Sequence, residues 1–474
     1  MSRINTNVPS IVAIHRLRDN QLDLNTRLER LSTGLRINRG ADDPAGLIAS
    51  ETLRNEIRGI GQAIDNSERA INVISTAEGS LAEVAALLLE LRSLITETAN
   101  EGALSNDEIA ANQLQIDSIL TSIDRIANTS QFSGKKLLNG SLGYSTSSIT
   151  ASRLASVEVF SSRVTTGTPR AVTVQVTQSA QLARLVFLGA GFGANSATTF
   201  ELTGRNGSQI LSFAASASIA AIRTAINDVA SVTGVSAYTS AAGGGALILN
   251  STTYGSNSFV SVKPLSGGFI TSTGQTATDA GVDAGVLVNG QVATVDGLNV
   301  DFRSPALDAR LILTSSFGTL PGTTTFYVTG GGMLFQLTPQ VNAAGQLNVG
   351  IGSVSTGGLG NAVIGFLHSL RSGGTNEIAQ GNFSGAERIL TQAINQVAFL
   401  RGRLGGVQKN QLETNINSQQ IALENVSASE SVIRDADLAV EVSALTRAQI
   451  LVQATQVTLG IANQVPQQVL SLLG

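Results

Sequence analysis

The feature that most constrains this chain is a run of positions advancing alternately by four and three residues: Leu53, Ile57, Ile60, Ile64, Ser67, Ile71, Ile74, Glu78, Leu81, Ala85, Leu88, Arg92 and Ile95. Most of them are apolar, and such spacing keeps one stripe of a helix against a partner, as in a coiled-coil seam. Gly59, Gly61 and Gly79 weaken the helix by about 1 kcal/mol each relative to Ala, without erasing the pattern. A second helix carrying Ile109, Ile116, Leu120, Ile123 and Ile126 follows a capping box, Ser105 with Glu108 three residues on. The two are expected to form an antiparallel helical hairpin. Its start is equally legible: Asp43 is placed to cap a helix whose first residue is Pro44.

The other end of the chain repeats the pattern. Leu390, Ala393, Val397, Leu400, Leu404 and Val407 form a seam whose continuation runs through Gln411, Thr414, Ser418, Ile421, Asn425, Ala428 and Val432 and is more polar. Beyond Asp435 a seven-residue repeat appears, Leu438, Leu445, Val452 and Leu459, with Leu473 two heptads on. Pro466 predicts a kink or helix end near Val465. At the N-terminal end Ile14, Leu17, Leu24, Leu28, Leu31 and Leu35 supply a matching stripe. These terminal stripes are the candidate self-assembly residues. Helix hairpins with leftover apolar stripes bury them by association, and a head-to-tail contact that does not close gives a fibre.

Between the helical ends, from about Tyr144 to Gly360, the chain turns rich in Gly, Ser, Thr and Val. Val172 to Val176, Arg184 to Leu188, Ala246 to Leu249, Phe259 to Val262 and Thr325 to Val328 alternate as strands do. Asn206-Gly207, Asn289-Gly290, Gly243 to Gly245 and Gly330 to Gly332 mark turns. One helix is expected inside, Ser218 to Ala230, with Ile219, Ile222, Ile226 and Val229 on one face. The predicted class is α+β: a long antiparallel helical, coiled-coil bundle built from both termini, with a β-rich central insertion. Segments leading into and out of an inserted module start close together, so the two terminal seams are natural partners.

Composition narrows function. Aromatic residues make up 4% of 474, with no Trp, which suits thin layers and helix seams better than a large ligand pocket. A net charge of -4 gives no basic surface for nucleic acid. The absence of cysteine removes disulfides, thiolate metal sites and Cys nucleophiles. His15 and His368 are the two histidines, too few for a three-histidine zinc site, and no HExxH occurs. Asp42-Asp43 is read as a helix start rather than a dyad, and the glycine runs lack a phosphate-loop Lys. No cofactor, metal, nucleic acid, membrane insertion or enzymatic activity is expected, and residues 1–20 do not resemble a cleaved secretory signal.

The residues also carry a resemblance. Arg30 to Asn38 (RLSTGLRIN) and Ala41 to Leu47 (ADDPAGL) resemble the N-terminal signature of bacterial flagellin, and Ile4 to Asn7 (INTN) its opening. Thr76 to Leu81 (TAEGSL), Ile123 to Arg125 (IDR) and Gln131 to Leu137 (QFSGKKL) fit the same family. Asp435-Ala436, Thr446 to Leu451 (TRAQIL) and Ala462 to Leu473 (ANQVPQQVLSLL) are similar to its C-terminus. Phe200 to Val262 resembles the flagellin hook IN motif.

The resemblance implies a structural subunit of the extracellular bacterial flagellar filament used for motility. Its implied division is a terminal helical filament-core domain (1–42 and 435–474), a helical inner-tube domain (43–165 and 361–434) and a β-rich variable outer region (166–360) with the hook IN-like motif at 200–262. Implied partners are further copies of the chain, an export chaperone, the filament cap and the hook-junction proteins. Export is implied through the flagellum's own type III channel. The alternatives are a hook-filament junction protein, or a filament subunit whose outer region adds an adhesin role. In flagellins sensed by the Toll-like receptor, the helix around Leu88 to Asn100 presents an Arg and a Leu, with a Glu across the hairpin. Here Arg92 and Leu94 match neighbouring positions, while Glu90 stands where the Arg is expected and Gln115 where the Glu is. A charge reversal at such an interface costs several kcal/mol, so weak or no receptor recognition is expected.

Overall fold

The computed structural model describes residues 6–100, 102–162, 169–187, 197–215, 217–240, 246–267, 277–304 and 306–473, with side chains described as far as residue 465 at the C-terminal end. Ile4 and Asn5 of the opening motif, Leu188, and the Gly243 to Gly245 turn lie outside the described residues. Nine α-helices occur among those described: α1 (Val8–Thr33), α2 (Pro44–Thr98), α3 (Asn106–Thr129), α4 (Ile219–Asp228), α5 (Ala230–Thr233), α6 (Ser315–Gly318), α7 (Phe383–Val407), α8 (Thr414–Arg434) and α9 (Leu438–Leu473). The chain divides into two compact units. One comprises Met1–Ala70, Gln336–Gln346 and Lys409–Gly474; the other comprises Ile71–Phe335 and Leu347–Gln408.

The long helix α2 carries a heptad seam, with one half of it displaced by a residue from the expected positions. Ile60, Ser67, Ile74, Leu81, Leu88 and Ile95 are buried as expected, but the intervening places are taken by Ala63, Ala70, Ala77, Val84 and Leu91. Ile64, Ile71, Glu78, Ala85 and Arg92 flank the seam instead. The reason is electrostatic: the expected stripe would have buried Glu78 and Arg92, and an unpaired charge in an apolar seam is expensive. In the second unit both charges sit at the rim, Glu78 4.0 Å from Arg401 and Arg92 3.7 Å from Glu387. By length and hydropathy α2 alone among the described helices could cross a membrane; its apolar stripe is the seam. The capping box of α3 is present, with Ser105 Oγ accepting from Glu108 N–H and the Glu108 carboxylate accepting from Ser105 N–H at 2.7 Å.

A second correction concerns α7 and α8. The seam of α7 follows the expected residues, Leu390, Ala393, Val397 and Leu404 being buried. Beyond it, Gln411, Thr414, Ser418, Ile421, Asn425, Ala428 and Val432 are all exposed, and the inward stripe is Leu412, Asn415, Gln419, Ala422, Val426 and Ile433, one residue later. The cause lies between the helices, where Gln408–Glu413 forms a stretch of π-helix. A π-bulge takes up an extra residue without ending the helix, and so shifts the phase of everything after it. Within the first unit α8 lies on α2, with Ser50 Oγ donating to Glu430 at 3.0 Å and Arg434 donating to Glu51 at 3.0 Å.

The helix end expected as one alternative before Pro466 does not occur, since α9 continues to Leu473. A single proline removes one ladder bond and bends the helix, and the good helix formers on both sides (Ile461-Ala462 before, Gln467 to Leu473 after) carry it on.

The insertion folds as two β-rich cores in the second unit. A five-stranded sheet (Gln291–Val292, Gly285–Val288, Arg170–Gln178, Gly322–Gly330 and Ser145–Ser147, in spatial order) faces a four-stranded one (Thr294–Asp296, Asn299–Ser304, Leu307–Leu313 and Leu154–Ser162). Val172, Val174, Val176 and Phe326 of the first pack with Val300, Phe302 and Leu311 of the second. The alternation in VTVQV is therefore real: every second side chain faces the core. The other core joins the hairpin Thr198–Gly204/Gly207–Phe213, α4, and the hairpin Val235–Thr239/Leu247–Ser251 around Phe200, Leu202, Ile222, Ile226 and Leu249. Ser218 caps α4 by accepting from Ala221 N–H at 3.2 Å. The helix ends at Asp228, leaving Val229 at the link to α5.

Candidate assembly interface

The run around Gly34 builds a joint in the first unit. Gly34 closes α1 in the left-handed conformation (φ 72°), its N–H donating to Arg30 O at 2.8 Å, a geometry that glycine adopts without penalty. The next residues bond to the link between α8 and α9. Arg36 N–H donates to Arg434 O at 2.7 Å, Ala436 N–H to Gly34 O at 2.9 Å, and Leu35 pairs with Asp435 as a β-bridge. Asp42 accepts from the N–H groups of Asn38 and Arg39, at 3.0 and 2.9 Å, and these bonds hold its carboxyl below the usual range. Asp43 then caps α2, accepting from Gly46 N–H at 2.9 Å.

From this joint α1 and α9 run together. The inward positions on α1 are Ser10, Ala13, Leu17, Asn20, Leu24, Arg27 and Leu31; those on α9 are Glu441, Leu445, Ala448, Val452, Thr455, Leu459 and Ala462. Both sets step by three and four. Small residues at Ala13, Ala448 and Ala462 are the most deeply buried apolar ones. The polar positions bond across the pair: Asn7 Nδ2 donates to Ala462 O at 2.8 Å and Ser10 Oγ to Asn463 Oδ1 at 2.7 Å. Glu441, only 6% exposed, accepts from Arg27 at 2.9 Å and from Arg30 at 3.2 Å. Burial pushes its carboxyl up, but the two guanidinium groups outweigh burial and leave it below the ordinary glutamate value. Sequence reading missed this triad. The available signal was a pair of opposite charges at seam spacing, Arg27 between Leu24 and Leu31 and Glu441 four residues before Leu445.

Of the terminal stripe residues named from sequence, Leu17, Leu24, Leu31, Leu35, Leu445, Val452 and Leu459 are half-buried, whereas Ile14, Leu28 and Leu438 point to solvent. The side chain of Leu473 lies outside the described residues. Each helix also exposes apolar side chains away from its partner: Val8, Ile11, Val12 and Leu22 on α1, and Val440, Ile450, Val457 and Ile461 on α9. A pair that leaves these apolar side chains uncovered presents the kind of patch that marks an interaction site.

In the second unit Glu90, Arg92 and Gln115 are exposed, while Leu94 is 7% exposed and belongs to the α2 seam rather than to an accessible surface. A cavity of about 330 Å³ there is lined by Tyr144, Glu158, Phe160, Arg310, Gln396 and Phe399 among others. Polar side chains in and around it are turned on the rings and on one another. Arg310 stacks 4.5 Å over Phe399, Arg403 lies 4.8 Å over Phe160, and Gln396 donates to Glu158 at 3.2 Å, tying α7 to the sheet. Burial pushes the Glu158 carboxyl up. No group of three or more His, Asp or Glu among the described residues is placed to hold a metal ion.

Comparison with known proteins decides the family. Aligned over 520 residues, the chain is 30% identical to the flagellin of Salmonella muenchen, with 99% of each chain covered. The chain belongs to the flagellin family. It is also 28% identical to the flagellin of Bacillus subtilis strain 168 and 29% identical to the B-type flagellin of Pseudomonas aeruginosa, again over 99% of both chains in each case. The bacterial flagellin N-terminal helical region matches residues 4–142, the C-terminal helical region 388–473, and the flagellin hook IN motif 199–253. The two helical matches take in α1 to α3 and α8 to α9, with most of α7, and the hook IN match takes in the first hairpin, α4 and the strands that follow it. As a flagellin it is a structural subunit of the bacterial flagellar filament, an extracellular assembly.

Proposed function

We propose that polymerisation is driven by the pair α1 and α9, whose uncovered apolar faces are buried against neighbouring subunits. In this reading 1–42 with 435–474 form the filament core, 43–165 with 361–434 form the surrounding tube, and the β-rich insertion within 166–360 faces solvent. The observation that carries it is the exposed apolar surface that α1 and α9 retain after pairing with each other. A soluble monomer has no use for such surface, and a homopolymer does. The subunit leaves the cell through the flagellum's own type III channel, with an export chaperone, and meets the cap and hook-junction proteins as partners. Glu90 and Gln115 on the exposed face of the α2–α3 hairpin support weak or absent Toll-like receptor recognition.

The experiment is electron microscopy of purified protein, intact and lacking residues 435–474. Intact protein forms fibres and the truncated protein forms none; fibres of unchanged diameter from the truncated chain would overturn the reading.

A further inference from the structure

The segment Gln336–Gln346 lies within the β-rich stretch of the sequence, yet it belongs to the same compact unit as α1 and α9. It is the tip of an arm formed by strands Met333–Gln336 and Gln346–Val349. The tip is held by its own bonds. Leu337 N–H donates to Gly345 O at 2.9 Å; Gln336 Nε2 donates to Thr338 O at 2.9 Å and to Gln340 O at 2.7 Å; Asn342 Oδ1 accepts from Gly345 N–H at 2.8 Å. Such a tip is a rigid mount rather than a loose loop.

It is seated on α2. A Cβ at Gly59 would lie 3.0 Å from Pro339 Cβ, whereas one at Gly61 or Gly79 would meet nothing within 4 Å. A mid-helix glycine weakens its helix, and at Gly59 the missing side chain admits the proline. At the apex Val341 is 83% exposed, the most exposed large apolar side chain among the described residues. An apolar side chain on a preorganised mount has the anatomy of an interface anchor, because little freedom is lost when it docks. The same unit leaves Ile48, Ile421 and Val432 uncovered on α2 and α8, so a second copy offers apolar counterparts in the unit that also holds the proposed polymer contacts of α1 and α9.

We propose that this arm tip is a subunit–subunit contact of the filament: Gly59 seats it on its own helices, and Val341 packs against a second copy of the chain. The proposal rests on the filament reading above. It assigns part of the 166–360 insertion to assembly rather than to the solvent-facing surface.

The chain has no cysteine, so Val341→Cys can carry a single photoactivatable maleimide. Val292→Cys, at the similarly exposed Val292 in the other unit, is the control. In assembled filaments the 341 probe is expected to give covalent dimers about tenfold above the 292 probe, and in dilute monomer neither gives any. Val341→Asp is expected to raise the subunit concentration needed for growth about tenfold, with the circular dichroism of the monomer unchanged. Equal dimer yields from the two probes, or growth of Val341→Asp at the wild-type concentration, would overturn the proposal while leaving the filament reading intact. Unmodified protein that makes no filaments would overturn both, and the wild-type arm of the experiment tells these failures apart.

Discussion

Glu441 is the first inward position of α9, followed along the seam by Leu445 and Ala448, and it survives there because Arg27 and Arg30 reach it from α1. Replacing it by Gln keeps the shape and removes the charge-assisted bonds, at a cost of about 1–3 kcal/mol to the α1–α9 pairing. Thermal dissociation of assembled protein measures this. The sign of the pH dependence follows from the lowered carboxyl: the stabilisation is fully present above the ordinary glutamate value and is lost as pH falls through the lowered one. Wild-type assemblies should therefore weaken as pH drops below about 4, and the Glu441→Gln variant should lack that component. Residue-level features of this kind were only partly legible. Asp43, Ser105 and Ser218 behave as their types and spacing dictate because capping is local. The Glu441 triad was not read, because it joins positions more than four hundred apart in sequence.

At the scale of elements the existence of the helices was plain and their faces were half right. A rule that counts threes and fours has no means of choosing between Ile64 and Ala63, or Arg92 and Leu91; the charges at Glu78 and Arg92 were the warning. The rule also assumes constant phase, and the π-helical stretch Gln408–Glu413 breaks it. The polar run through Gln411, Thr414 and Ser418 was the visible symptom, with Leu412, Ala422, Val426 and Ile433 waiting beside the positions named. This makes a discriminating test. Deleting Asn410, an exposed residue of the bulge, lets the segment relax to regular α-helix and rejoins the two stripes. Helical content should then be retained and stability changed by about 1 kcal/mol or less. Deleting Ser418, in regular helix, rotates the stripe beyond it by about 100° and should cost several kcal/mol by exposing Val426 and Ile433. Circular dichroism melting of the two deletion variants decides; equal damage from both would refute the phase-shift account.

For the whole molecule, two helical ends and a β-rich middle were readable because hydrophobic period switches cleanly from helical to alternating. That the Gln336–Gln346 tip belongs with the helices was not, since nothing local in TPQVNAAG announces its neighbours. Recognition by other organisms is also a property of the whole surface. With Glu90 and Gln115 exposed and Leu94 buried, purified monomer on Toll-like receptor reporter cells should need at least about 100-fold more protein than a flagellin that carries the Arg and Glu at those two places. The Glu90→Arg/Gln115→Glu variant should recover most of that difference, and strong signalling by the unmodified chain would sink the expectation. A zipper of sevens, finally, can slide by one notch and still look matched, because leucines meet leucines again. Moving α9 one heptad along α1 would set Glu441 against Asn20 and Asp23 in one direction, or against Gly34 and Ile37 in the other, with no cation in either place. That single carboxylate works as a detent: of the alignments seven residues apart, it favours the one that sets it against Arg27 and Arg30.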